Sequence, residues 1–238
     1  MTTREEDLVQ SYSSTSKVLS EADIELLNKQ NSRLVTDFAS MRLEKDAKKH
    51  WDYFYKRNEN RFFKDRHWIM REFPELEVSS VPPRLVTSLP SRLISVLTNL
   101  SLLQADLTQP DCLDSIRDVD IVTMVFVLSA IHPEKFALVL RNVFNALKPG
   151  GVVLFRDYGL YDMTQIRFKP GHKIADNFYM RQDGTRSYFF TTSEVEKLFS
   201  EYGFHILSNQ YVNRRTVNLK EEVDVPRIYV QAKFQKPE

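Results

Sequence analysis

The chain is poor in the features that mark several protein classes. A single cysteine, Cys112, excludes a disulfide framework and predicts a reducing compartment. Lys and Arg number 33 against 32 Asp and Glu, so the net charge of +1 excludes a polycation that coats nucleic acid by bulk charge. The longest apolar run, Ile121–Ile131, is far shorter than the ~20 residues that span a bilayer. The first ten residues lack the apolar core of a signal peptide, so we expect no membrane segment.

Glycine is also scarce. The chain has six glycines, whereas average usage predicts about 17 in a chain of this length. The first of them is Gly150, so a glycine-rich cofactor loop is excluded from the first half of the chain. Such a loop lets the backbone approach a ligand at φ values that other residues resist. The absence of such a loop therefore counts against any function that needs a bound nucleotide.

Composition divides the chain into three parts. Residues 1–33 are polar and serine-rich, which predicts a mobile arm with one short helix. Residues 34–76 begin with an amphipathic helix predicted over 34–57, because apolar residues recur at helical spacing. Residues 77–238 form the predicted main domain, in which the segment 77–102 is atypical: it holds three charges and three prolines. Since proline disfavours helix at the preceding residue, we expect loop over its first ten positions.

The second half alternates strand and helix. The apolar run Asp120–Leu128 is typical of a strand that is buried on both faces. A helix is predicted over Phe136–Leu147, followed by a second buried strand at Val152–Phe155. Strand, helix and strand in this order form a βαβ unit, which predicts a parallel sheet.

The C-terminal part predicts one more helix and two strands. A capping box at Ser193 and Glu196 opens a helix that runs to about Tyr202 and stops at Gly203. The strands are predicted at 204–207 and 227–234, and the second could pair antiparallel with the first. The fold class is therefore α/β, with a terminal antiparallel hairpin and an N-terminal helical extension.

Five strings carry a resemblance to a known family: Trp51–Arg57, Phe62–Trp68, Phe126–Pro133, Phe155–Asp162 and Asn177–Phe190. Together they resemble the methyltransferase-like family that makes N3-methylcytidine in the anticodon loop of tRNA. The resemblance covers roughly residues 34–76 and 103–236. It implies a Rossmann-like class I methyltransferase sheet of seven strands, S-adenosylmethionine as cofactor, and the tRNA anticodon stem-loop as substrate. Seryl-tRNA synthetase is implied as a partner of some members, and the cytoplasm, with the nucleus as an alternative, as location.

The chain departs from the family pattern between Leu76 and Asp106. The family's glycine-rich loop after the first strand, and the acidic residue that ends the second strand, are both missing there. A βαβ unit needs about thirty residues, so this interval holds at most one βα unit and the first βα units are shortened. The alternative to an enzyme is therefore a catalytically inactive variant that binds RNA or a protein partner.

The resemblance implies Asp157 and Tyr158 as catalytic residues. Asp157 follows a buried strand, at the end where ligands bind in open α/β sheets. Its carboxylate would stabilise the positive charge that develops on a methylated cytosine, and Tyr158 would stack on or hydrogen-bond the base. The alternatives are that Asp157 only pairs with Arg156 or caps a loop, and that Tyr158 only packs over the sheet edge.

Five residues are implied as contacts of S-adenosylmethionine: Asp106, Leu107, Val125, Trp51 and Tyr55. Without the resemblance, Asp106 is a turn residue and Val125 is core. Trp51 and Tyr55 are four apart and share a helix face, a spacing that otherwise indicates core packing. The resemblance instead places this pair against the donor.

Residues 42–71 carry an excess of five positive charges interleaved with aromatic residues, a composition that suits RNA. The predicted RNA contacts are Lys56, Arg57, Phe62, Arg66, Arg181 and Arg186. Most charge runs are only solvated faces, which is the alternative here. The five histidines lack partner cysteines at zinc-site spacing, so no metal site is predicted.

Overall fold

The computed structural model describes residues 10–58, 68–76, 85–87, 105–218 and 223–238. The helices are α1 (Glu21–Gln30), α2 (Asp37–Lys45), α3 (Ala47–Asn58), α4 (Trp68–Glu72), α5 (Phe136–Ala146), α6 (Met163–Ile166) and α7 (Thr192–Glu201). The strands are β1 (Ser11–Ser13), β2 (Leu85–Thr87), β3 (Val119–Val125), β4 (Leu147–Tyr158), β5 (Lys173–Ala175), β6 (Phe178–Met180), β7 (Arg186–Tyr188), β8 (His205–Asn218) and β9 (Val223–Gln235). None of the helices in these ranges is both long and apolar enough to cross a bilayer.

A six-stranded sheet in the order β1-β8-β9-β4-β3-β2 forms the centre of the described structure. β2, β3 and β4 are parallel, whereas β9 runs antiparallel to both β4 and β8. The predicted βαβ unit is confirmed, because α5 connects the parallel neighbours β3 and β4. The predicted antiparallel hairpin is confirmed as β8–β9. A second sheet, β5-β6-β7, is antiparallel and follows β4 in the chain.

Two apolar clusters cover the two faces of the large sheet. The larger cluster includes Met124, Phe155 and, from α7, Phe199. The smaller cluster includes Ile69 of α4 and Val125 of β3. Met124 and Val125 are consecutive in β3, so their side chains point to opposite faces. Because both faces are covered, β3 is mostly apolar, with Asp120 and Thr123 as its polar residues, as the sequence pattern predicts.

Residues 10–33 pack on the main domain and do not form the mobile arm expected of them. β1 pairs with the edge strand β8. At the end of α1, the side-chain amide of Gln30 donates to the carbonyl oxygens of Gln165 and Ile166 at 2.8 and 3.1 Å. These attachments are made by hydrogen bonds, which a polar composition does not reveal.

The single helix expected over residues 34–57 is two helices, α2 and α3. Asp46 lies between them in a non-helical conformation, and its N–H binds the carbonyl oxygens of Arg42 and Glu44. The apolar spacing continues across this break, so periodicity alone predicts one helix.

α7 begins two residues before the predicted start. Its N-cap is Thr191, whose hydroxyl accepts from the Glu194 N–H at 3.0 Å, while the Glu194 carboxylate accepts from the Thr191 N–H at 2.8 Å. The capping box predicted at Ser193 and Glu196 is therefore wrong. Glu194 also accepts from the hydroxyl of Tyr188, six residues earlier, at 3.0 Å, and this contact favours the observed start of α7.

The atypical segment 77–102 contributes one described element, β2. Leu85 lies opposite Ile121, in parallel with β3. Part of the stretch predicted as loop is therefore a strand. The other predictions for this segment lie outside the described residues.

Candidate active site

A cleft of about 800 Å³ opens beside Tyr158, the last residue of β4. Its walls carry cationic and aromatic side chains, which are Arg57, Arg167, Lys169, Arg181 and Arg227 together with Tyr158, Phe168 and Phe189. Among the described residues that line the cleft, Asp183 is the one acid. The cleft therefore combines positive charge with stacking surface at the carboxyl end of a strand, where α/β sheets bind ligands.

Asp157 precedes Tyr158 in β4; it is fully buried and is not among the residues that line the cleft. Its Oδ2 accepts from the Ser129 N–H and its Oδ1 from the Tyr158 N–H, both at 2.9 Å. Ser129 lies in the turn after β3, so Asp157 connects the ends of β3 and β4. Burial raises the pKa of Asp157 to about 6, against the opposing effects of the hydrogen bonds from Ser129 and Tyr158 and the charge of Arg181. A buried carboxyl with a raised pKa, one residue from a cleft-lining tyrosine, is a candidate functional group.

One alternative for Asp157, that it pairs with Arg156, is wrong. The Nη1 of Arg156 donates to the Oε1 of Gln231 at 2.9 Å, and its guanidinium lies 4.8 Å from the ring centroid of Tyr229. Neighbouring side chains of a strand point to opposite faces, so Arg156 and Asp157 belong to different surroundings. The other alternative, that Asp157 caps a loop, agrees with its bond to Ser129 and stays open.

Two cations lie near the ring of Tyr158. The guanidinium carbons of Arg181 and Arg227 are 5.2 and 5.9 Å from its ring centroid, and the Phe126 ring packs at 4.9 Å. Arg227 is neutralised by Asp162, whose Oδ2 lies 2.9 Å from the arginine Nε. Arg181 has no carboxylate partner within the described ranges; its Nε donates to Ser187 Oγ at 2.6 Å. A half-buried ring with such neighbours can stack an unpaired base while a cation meets its oxygens.

The loop Arg167–His172 forms another wall of the cleft. Phe168 stacks on Tyr179 at a centroid distance of 4.8 Å and an angle of 9°. Arg33, three positions after the end of α1, donates from its Nη2 to the carbonyl oxygen of Pro170 at 3.0 Å. The two cations of this loop have no carboxylate partner in the part of the chain that the structure describes. The loop therefore presents fixed positive charge to the cleft.

The predicted donor contacts Asp106, Leu107 and Val125 do not come together. Leu107 packs against the larger apolar cluster, whereas Val125 is buried in the smaller one, on the other face of the sheet. The carboxylate of Asp106 accepts from the N–H and hydroxyl of Thr108 at 2.9 and 2.7 Å, and from Gln109 at 3.2 Å. Burial would raise the pKa of Asp106, but these hydrogen bonds hold it below its ordinary value. With no glycine before residue 150, the described residues fit the donor incompletely.

Trp51 and Tyr55 share one face of α3, as predicted from their spacing, with ring centroids 5.9 Å apart. Phe54 is buried beneath the helix, whereas Tyr55 is about half exposed. α3 is attached to the β6–β7 turn by a hydrogen bond between the Nδ1 of His50 and the carbonyl oxygen of Gly184 at 2.8 Å. Contact of the aromatic pair with the donor stays a prediction.

The predicted RNA contacts divide into three groups. Arg57 and Arg181 line the cleft, and Lys56 is exposed on α3. Arg186 is wrong as an RNA contact: it is 6% exposed and forms an ion pair with Glu44, so it cannot reach a phosphate. Phe62 and Arg66 lie outside the described residues.

Sequence reasoning does not find Arg167, Lys169 or Arg227. Cations and aromatic residues alternate in the string 167–173, and that signal could have indicated the first two. Arg227 offers no local signal, because its partner Asp162 is 65 residues away. Among the described residues, no group of three or more His, Cys, Asp or Glu could hold a metal ion.

Residues 76–209 match the family model for a methyltransferase domain. A solved SAM-dependent methyltransferase from Anabaena variabilis superposes with a TM-score of 0.55 over 79% of this chain and 94% of that one, at 13% identity. This likeness shows the fold, a methyltransferase α/β domain.

Closer relatives identify the family. The tRNA N(3)-cytidine methyltransferase METTL6 of Rattus norvegicus is 45% identical over 259 residues, covering 93% of this chain and 90% of the relative. The human METTL6 is 42% identical over 247 residues, and the trm140 enzyme of Schizosaccharomyces pombe is 36% identical over 238. The chain belongs to the tRNA N(3)-cytidine methyltransferase family. The rat alignment is longer than this chain of 238 residues, so the relative contains residues without a counterpart here.

Proposed function

We propose that this chain is an S-adenosylmethionine-dependent tRNA methyltransferase that forms N3-methylcytidine in the anticodon loop. The single observation that carries the proposal, beside family membership, is the cation-lined aromatic cleft at the end of β4. S-adenosylmethionine supplies an electrophilic methyl group in this family.

Cytosine N3 lies on the Watson–Crick edge, so the cytidine must be unpaired and turned into a pocket before it reacts. N3 carries an in-plane lone pair, so alignment matters more than a general base. In the proposed complex the base stacks on Tyr158. The ring becomes cationic when N3 is methylated. Asp157 does not line the cleft, but it is close enough to Arg181 to feel its charge, and its carboxylate would stabilise the methylated ring through space.

The RNA backbone would bind the cations of the cleft. Lys and Arg that neutralise phosphates make affinity fall steeply with salt. Lys169→Gln removes one cation of the cleft wall, and Lys197→Gln removes an equal charge from an exposed position on α7. We expect Lys169→Gln to weaken tRNA binding and to reduce the salt slope by about one, with Lys197→Gln unchanged. Equal effects of the two variants would contradict the assignment of this cleft to RNA.

A second candidate is a non-catalytic RNA-binding protein, favoured by the absence of glycine before residue 150. It would retain the cleft but not a working donor site. Calorimetry with S-adenosylhomocysteine separates the two, with Trp51 fluorescence as an independent signal. Heat and a fluorescence change support the enzyme. Neither signal at saturating ligand, with tRNA still bound, supports the non-catalytic protein.

We also propose seryl-tRNA synthetase as a partner, on the resemblance alone. A pull-down with the purified synthetase, with and without tRNA, tests it, and no retention in either condition would contradict it.

The cytoplasm is the proposed location, with the nucleus as the alternative, since one cysteine fits a reducing compartment. Imaging of the tagged full chain tests this, and signal in the secretory pathway would contradict it.

A further inference from the structure

Glu44 connects three elements around the cleft. Its Oε1 lies 2.5 Å from the Nζ of Lys135, at the start of α5, and its Oε2 forms an ion pair with the Nη1 of Arg186 in β7. We propose that Glu44 is a positioning residue that holds α2 and α3 against the β6–β7 hairpin and thereby sets Arg57 in the wall of the cleft. This inference rests on the proposed function only for the part of its test that measures tRNA binding.

The contact with Arg186 differs from an ordinary surface ion pair. An exposed pair contributes little, because solvent screens it and two long side chains must be ordered. Arg186, however, is 6% exposed, and its guanidinium lies 5.7 Å from the ring centroid of Phe178. Loss of the Glu44 carboxylate would leave this buried cation without its charge partner, which is far more costly than loss of a surface pair.

A second contact holds the same hairpin at the next helix. The Nδ1 of His50 in α3 contacts the carbonyl oxygen of Gly184, in the turn that precedes Arg186. Arg57 follows His50 by seven positions, and residues seven apart lie on the same helix face. The face of α3 that meets the hairpin is thus also the face that carries Arg57 into the cleft.

The hairpin itself carries another part of the cleft. Arg181, over the ring of Tyr158, precedes the β6–β7 turn, and its backbone N–H donates to the carbonyl oxygen of Thr185 at 2.7 Å. Glu44 therefore fixes two cleft cations relative to each other, Arg57 through the helices and Arg181 through the hairpin. This role explains why Arg186, a cation near the predicted RNA surface, is buried.

The test compares Glu44→Gln with Glu134→Gln in the full chain. Glu134 is a matched control because it neighbours Lys135, loses the same charge, and has a side chain that is 88% exposed. Hydrogen exchange of the amides in α3 gives a readout that needs neither RNA nor donor. Affinity for tRNA, measured without donor, gives the second readout.

We expect Glu44→Gln to accelerate exchange in α3 and to weaken tRNA binding roughly tenfold, the order of one lost charged contact. Glu134→Gln should match the wild type in both. Wild-type exchange in α3 of Glu44→Gln would overturn the proposal. If Glu44→Gln does not fold, Lys135→Gln, which leaves the Arg186 pair intact, should show the same effects in smaller measure, and wild-type exchange there would overturn it too. A wild type that binds no tRNA would contradict the proposed function, while exchange would still decide the role of Glu44.

Discussion

Asp157→Asn should reduce activity and should change stability by an amount that depends on pH. The carboxyl is fully buried, and burial raises its pKa from 3.8 to about 6. A shift of this size corresponds to about 3 kcal/mol between the two protonation states. Because the folded pKa is the higher one, the proton stabilises the folded state. That stabilisation is complete below the unfolded pKa and is lost as the pH rises through about 6.

The amide of asparagine does not titrate, so the difference between variant and wild type depends on pH. Between about pH 4 and about pH 7, the free energy of unfolding of Asp157→Asn should rise relative to wild type by about 2 kcal/mol. A constant penalty of about 1–3 kcal/mol accompanies it, because an amide cannot accept from both the Ser129 and the Tyr158 N–H. The pH-dependent part of the difference in unfolding free energy therefore tests whether burial raises the pKa of Asp157.

Urea unfolding at a series of pH values measures this difference. Asp176→Asn removes a carboxylate whose side chain is 95% exposed and controls for the change in net charge. Methyl transfer by Asp157→Asn should fall about tenfold or more, since a charge-stabilising group is lost. A stability difference that is the same at every pH would refute the reasoning about burial. Unchanged turnover on tRNA would remove Asp157 from the mechanism.

Two further variants test the walls of the cleft. Asp162→Ala leaves the guanidinium of Arg227 without its buried partner, so the free energy of unfolding in urea should fall by about 3–5 kcal/mol; a loss below about 1 kcal/mol, typical of a surface pair, would contradict this. Gly184→Ala would place a Cβ 2.6 Å from the His50 ring at φ +81°, whereas Gly203→Ala meets nothing closer than 3.8 Å at φ +83°. Both should lose about 1–2 kcal/mol to backbone strain, but only Gly184→Ala should weaken tRNA binding, and equal affinities would contradict the attachment of α3.

Local sequence patterns predict the centre of the sheet because their physical causes are local. β3 is mostly apolar since both of its faces are covered. The start of α7 is harder, because Thr191 with Glu194 and Ser193 with Glu196 both satisfy the capping-box spacing. The pair that forms the capping box is the one whose glutamate also accepts from the Tyr188 hydroxyl, and the spacing alone does not reveal that hydrogen bond.

The candidate site depends on contacts that are distant in sequence. Asp157 and Tyr158 are found because they follow a strand, and the end of a strand is visible in sequence. Arg227 becomes part of the cleft only through Asp162, and Arg186 is removed from the RNA surface only through Glu44. Such pairings over 65 and 142 residues leave no periodic signal.

We expect the cleft beside Tyr158 to receive a cytidine of the tRNA anticodon loop for methylation at N3. The most direct measurement incubates the wild-type chain with tRNA and isotopically labelled S-adenosylmethionine, then identifies the labelled nucleoside by mass spectrometry. We predict N3-methylcytidine, strongly reduced in Asp157→Asn. Labelled nucleosides other than N3-methylcytidine, or none while the chain still binds tRNA, would contradict the claim.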